Sequence, residues 1–161
     1  MSQMPKSNPY LKTKVMTASS EELRLMLFDG GVKFCRVALD AISQKNYEDS
    51  YNALMRAQKI VLELSISLNY SVDPDLCSKM ASLYNYIYKL LVDANLNRET
   101  KPLTEAIDLL QYERETWQML INKVDKEADA APKPKLPGTS PIAKLGPDGQ
   151  NGRSKGLSIS G

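Results

Sequence analysis

Histidine is absent from this 161-residue chain. That excludes Ser-His-Asp and Cys-His nucleophile systems, HExxH zinc sites and phosphorelay histidines. Cysteine occurs only at Cys35 and Cys77, too few for a disulfide framework. No charge sign dominates: a formal net charge of +2 announces neither a nucleic-acid partner nor a charged membrane surface. No apolar run reaches the roughly 20 residues that span a bilayer. Residues 1–10 are polar and proline-bearing, without the apolar stretch of a secretory signal. The expectation is a cytoplasmic protein that inserts in no membrane and carries no cofactor, metal or catalytic apparatus.

Glycine and proline are scarce where they would break helices and dense elsewhere. Between Ser19 and Asp125 they occur only as Gly30, Gly31, Pro74 and Pro102. Beyond Asp125 lie five of the nine prolines, six of the eight glycines and no aromatic residue. Such a segment cannot bury enough apolar surface to offset its ordering entropy. Residues 126–161 are therefore expected to be a disordered, solvated tail. Residues 1–18 are expected to be an extended N-terminal segment, and 19–125 the folded body.

The body reads as helix throughout. Ser19 with Glu22 spells a capping box for a first helix over about Ser20–Gln44. Leu23, Met26, Leu27, Gly30, Phe34, Val37, Ala38 and Ala41 form one apolar stripe on it, and Leu25, Phe28, Val32, Cys35 and Leu39 a second. Polar residues are confined to a seam through Asp29, Lys33, Arg36 and Asp40. A second helix is expected over Tyr47–Leu68. A third starts at Asp73-Pro74, cap followed by first-turn proline, and a fourth near Pro102. The expected connections are short, around Lys45-Asn46, Asn69–Asp73 and Asn95–Lys101, and short connections between long helices favour antiparallel neighbours. The predicted fold is all-α: an antiparallel up-down-up-down four-helix bundle.

Motifs that would carry chemistry fail on inspection. A di-metal carboxylate bundle needs Glu-x-x-His pairs, which this chain cannot supply, and its inward stripes are apolar. Glu113 and Glu115 point in different directions on a helix and form no acid–base pair. Gly30-Gly31 sits inside a helix, not in a phosphate loop; it reads as close helix packing, or alternatively as a kink or notch for a partner. Cys35 and Cys77 lie on apolar faces without a cationic activator and read as small buried hydrophobes. Asn69-Tyr70-Ser71 spells a glycosylation sequon, yet in this setting it reads as a loop.

The informative anomaly is surplus grease. The first helix has two apolar stripes, and the third adds Tyr84, Tyr88 and Leu91 outside its main stripe. One reading is a fat core or a homodimer seam; the other is a groove for a foreign amphipathic helix. Tyr10, Leu11, Val15 and Met16, in the expected extended segment, are placed to lie over such a groove. The candidate partner contacts are therefore Tyr10, Leu11, Val15, Met16, Leu25, Phe28, Val32, Tyr84, Tyr88 and Leu91.

Four pieces, in order, resemble the flagellar secretion chaperone FliS family. They are NPYLKTKVMTASSEELRLMLFDGGVKF (Asn8–Phe34), AQKIVLEL (Ala57–Leu64), LYNYIYKLLVDAN (Leu83–Asn95) and Trp117 late in the fourth helix. There are departures: Ser20 stands where the family commonly has proline, Phe28 replaces a frequent tyrosine and Asn85 a frequent aspartate. The resemblance implies a helical bundle without enzyme activity that binds the C-terminal segment of flagellin in the cytosol. It implies that binding blocks premature polymerisation and assists delivery to the flagellar export gate. It also implies that the segment with Tyr10 and Leu11 occupies or borders the cargo site. A self-associating structural bundle without flagellin cargo is the alternative.

Overall fold

Four of the helices of the computed structural model, which describes residues 8–130, start at a side-chain cap. There are five in the described residues and no strand: α1 (Pro9–Thr17), α2 (Ser20–Ser43), α3 (Tyr47–Ile66), α4 (Pro74–Asn97) and α5 (Lys101–Ala130). The capping box at α2 is formed. Ser19 Oγ accepts the Glu22 N–H at 3.2 Å, and the Glu22 carboxylate accepts the Ser19 N–H at 3.3 Å. Asn46 caps α3 by accepting the Asp49 N–H. Asp73 caps α4 by accepting the Leu76 N–H at 3.1 Å, with Pro74 in the first turn.

Three expectations are corrected. Residues 9–17 are helical, not extended. The Asn8 side chain accepts the Tyr10 N–H at 3.0 Å and Pro9 occupies the first turn, a start signal that outweighs the loose apolar alternation. The segment expected as tail is helical at residues 126–130, where α5 continues past Asp125. The remainder of the expected tail, 131–161, lies outside the described residues. The expected connection Asn95–Lys101 is also shorter, because α4 runs on to Asn97 and stops at Arg98 in the left-handed region (φ 55°).

The chain divides into two units, Met1–Lys123 and Val124–Gly161. In the second, the described residues 124–130 are the exposed end of α5. In the first, α2 packs on α3 and α3 on α4. The core takes Phe28, Val32, Cys35, Ala38 and Ile42 from α2 and Ala53, Leu54, Ala57, Val61 and Leu64 from α3. From α4 come Tyr84, Ile87, Leu90, Leu91 and Ala94, and from α5 Leu103, Ala106, Ile107 and Leu110. Ala38 facing a helix with Ala53 and Ala57 lets backbones approach, and Gly30 and Gly31 both face Ile60 of α3. The two cysteines are free and buried. Burial pushes the Cys35 thiol up to about 12, which leaves it unreactive.

Candidate partner-binding surface

The four N-terminal candidates are presented, not folded away. None of α1 is buried; Tyr10 is 75% and Met16 77% exposed, and Leu11 and Val15 are exposed as well. At 100° per residue these four side chains spread around more than half of the helix. The expectation that they cover a groove is therefore corrected: α1 buries no side chain of its own against the body.

The six candidates in the body divide by depth. Phe28, Val32, Tyr84 and Leu91 lie in the core; Phe28 is 1% exposed, with its ring centroid 6.4 Å from that of Tyr84. A partner could reach them only by opening the bundle, because α2 carries its second apolar stripe inward. Leu25 and Tyr88 are half-buried, and Tyr88 packs against the core from its edge. The surplus grease of the sequence is thus largely swallowed at the α2–α4 faces and reappears elsewhere.

While Val37, Tyr51, Tyr86, Leu96 and Tyr112 are exposed on other stretches of the helices, part of it reappears at one end of the first unit. The start of α2 meets α5 there, where Trp117 Nε1 donates to the Glu21 carbonyl at 3.0 Å. The end of α3 arrives at the same place, held by Arg24. From these segments project Leu23, Ile66, Met119 and Leu120, and from the following α3–α4 connection and first turn of α4 Tyr70, Val72 and Leu76, all exposed, with Val72 at 79%. α1 leaves from the same end, since only Ala18 and Ser19 separate it from α2. These exposed apolar side chains make this end the candidate partner surface.

Beneath that end sits a residue the sequence reading passed over. Arg24 is 8% exposed and is the only charged side chain buried among the described residues. Its Nη2 donates to Tyr84 Oη at 2.7 Å, its Nη1 to Ser67 Oγ at 3.0 Å, and both to the Leu64 carbonyl at 3.3 Å. The guanidinium carbon lies 5.5 Å from the ring centroids of Tyr84 and Trp117 and 5.8 Å from that of Phe28. Three aromatic faces and three neutral oxygens therefore hold one cation. Glu113 is close enough for the charge of Arg24 to favour its carboxylate, yet burial outweighs that and pushes its pKa above the ordinary glutamate value. The legible signal was position: Arg24 heads the stripe Phe28, Val32, Cys35, Leu39 at helical spacing.

A second concavity is of different character. A cavity of about 560 Å³ opens between α2 and α5, walled by Asp29, Lys33, Arg36 and Asp40 and by Gln111, Arg114 and Glu115. Arg114 is ion-paired to Asp29 across it. Its acids and bases balance. Among the described residues no group of three or more His, Cys, Asp or Glu is arranged to hold a metal ion, and no helix is long and apolar enough to cross a membrane.

The model of the family described as flagellar protein FliS matches residues 1–124. The flagellar secretion chaperone FliS of Bacillus subtilis is 35% identical over 123 residues, covering 74% of this chain and 91% of that protein. The protein of the same name from Campylobacter jejuni is 27% identical over 115 residues, covering 71% and 90%. That of Escherichia coli is 27% identical over 109 residues, covering 67% and 80%. The chain belongs to the FliS family.

Proposed function

We propose that this protein is a cytosolic export chaperone for flagellin. It binds flagellin's C-terminal segment, blocks premature polymerisation and assists delivery to the flagellar type III export apparatus. The observation that carries this reading is the apolar end of the first unit together with the uncovered helix α1. Membership of a family whose curated members are named flagellar secretion chaperones supports the identity of the cargo.

A subunit that must be threaded out of the cell is kept from folding, and its amphipathic segments then seek apolar partners. A rigid helical body with grease at one end offers such contacts over several turns. Coupled folding and binding of this kind buries about 1,000–3,000 Å² and loses several kcal/mol to ordering. The contacts we assign are Tyr10, Leu11, Val15 and Met16 of α1, the half-buried Leu25 and Tyr88, and the exposed residues at the α3–α4 connection. Phe28, Val32, Tyr84 and Leu91 support the site from within. No group transfer or bond cleavage enters this function.

An antiparallel up-down-up-down course of α2–α5 suits this role, because it gathers alternate connections at one end. Two contacts support it. Arg24 ties the start of α2 to the end of α3. The Arg98 guanidinium at the end of α4 lies 4.2 Å from the ring centroid of Tyr47 at the start of α3.

The test is a calorimetric titration of the full-length protein with flagellin's C-terminal segment and, separately, with its central region. Selective binding of the first is expected; equal or absent binding of both overturns the reading. The same uncovered α1 residues favour a second reading, a self-associating structural bundle without flagellin cargo. Light scattering across a concentration series distinguishes it: a permanent dimer that binds neither segment supports that alternative.

A further inference from the structure

The last turn of α3 has an acceptor that its own backbone does not serve. In a regular helix the Leu64 carbonyl would receive the Leu68 N–H. Here the Leu68 N–H turns to Ser65 O at 3.4 Å, and the Ser67 N–H goes to Glu63 O at 3.0 Å. Leu64 O instead receives both terminal nitrogens of Arg24, forty residues earlier in the chain, at 3.3 Å each. Ser67 Oγ, which also donates to Leu64 O, accepts from Arg24 at 3.0 Å. A cation aimed at the last carbonyls of a helix is a C-cap that also opposes the negative end of its dipole. This one is supplied by a neighbouring helix.

We propose that Arg24 is the positioning residue of the partner-facing end. By capping α3 from α2 it fixes where α3 stops and how the connection with Tyr70 and Val72 departs. By bonding Tyr84 and lying against Trp117 it registers α4 and α5 to the same point. The proposal rests on the reading that this end receives the cargo. It separates from a role in overall stability because every hydrogen bond lost with Arg24 lies at the end of α3 or on Tyr84, so the cost of the unpaired acceptors falls at that end. Removing Arg24 should loosen one end without unfolding the body.

The experiment uses the full chain with Arg24→Met and Arg24→Lys. Far-UV dichroism reports folding, and amide hydrogen exchange reports the α3 end. In Arg24→Met the Ser67 and Leu68 amides should exchange roughly tenfold faster or more, the loss expected for hydrogen bonds to a charged donor. Amides in the middle of α2 and α3, at Ala38 and Ala57, should keep their rates. Emission from Trp117, the only tryptophan of the chain, should shift. Arg24→Lys, which keeps the charge but not the fork, should fall between the two proteins. Unchanged exchange at Ser67 and Leu68, or acceleration equal to that at Ala38 and Ala57, overturns the proposal. Should Arg24→Met not fold, Arg24→Lys, which keeps the charge but loses the two-nitrogen fork on the Leu64 carbonyl, carries the test. Faster exchange at Ser67 and Leu68 than at Ala38 and Ala57 is then expected, and its absence is the overturning result. Titration with the flagellin C-terminal segment should give an affinity at least about fivefold weaker for Arg24→Met, by loss of a pre-organised surface. An unchanged affinity overturns the positioning role. A wild-type protein that ignores the segment refutes the cargo reading instead, and the exchange rates alone then judge the cap.

Discussion

Replacing Gly31 by alanine should stabilise the protein. Gly31 is buried in the interior of α2 and does not have a positive φ, so its backbone conformation does not call for glycine. An added Cβ would meet Ile60 Cγ2 and Leu110 Cδ1, both at 3.5 Å, which is ordinary van der Waals contact. Alanine gains about 1 kcal/mol over glycine in a helix interior. The buried methyl group adds up to about 0.8 kcal/mol. For a body of about 120 residues, 1–2 kcal/mol corresponds to a melting point roughly 4–8 °C higher. Gly30 differs, because its Cβ would lie 3.2 Å from Ile60 Cδ1. That atom is the free end of a side chain and can yield by a few tenths of an ångström. Gly30→Ala should therefore gain less, about 0–1 kcal/mol. The double variant should gain less than the sum, since both methyl groups press on Ile60. Thermal melts followed by far-UV dichroism give all three values. A Gly31→Ala protein that melts at or below the wild-type temperature would refute the packing argument. Unchanged binding of the flagellin segment in the stabilised variant would remove the notch reading of the glycine pair.

Phe28→Ala should cost about 3–5 kcal/mol, as for a fully buried ring, and lower the melting point by more than 10 °C; a melt within about 3 °C of wild type would return Phe28 to the surface. Deleting residues 1–16 should shift the melting point by less than about 2 °C, because α1 buries nothing, while weakening capture of the flagellin segment in the same titration. Glu113→Gln should be more stable than wild type at pH 7. Burial raises the folded-state pKa of Glu113 above its ordinary value near 4.5, so the wild-type protein loses stability as pH rises through that raised value. The advantage of the variant should therefore shrink as pH falls towards about 4.5, which melts at pH 7 and pH 4 would reveal; a difference independent of pH would sink this account.

Much of the helical skeleton was legible because its signals are local. Ser19 and Glu22 spell a capping box, and Asp73-Pro74 spells a cap and first turn; both form as spelled. The same grammar was present at Asn8-Pro9, but the alternation of the following residues suggested an extended chain, and the cap prevailed. The end of α4 was misplaced because its left-handed stop is Arg98, not the glycine or asparagine that usually marks one. The candidate site was less legible. Periodicity found both stripes of α2 yet could not tell which faced inward, since that depends on where α4 and α5 arrive. Arg24 was missed for a related reason. A charged residue on an apolar stripe looks out of place until Leu64, Ser67 and Tyr84 converge on it from other helices.

The nine residues of α1 bury no side chain. Solitary helices below about 12–15 residues hover near the midpoint of their own melting transition. Coil and coiled spring are then almost equal in free energy for this arm, and whichever visitor touches it selects the shape. The body behind it need not rearrange to admit a newcomer, because the negotiation takes place in the one stretch with almost nothing to lose by changing form.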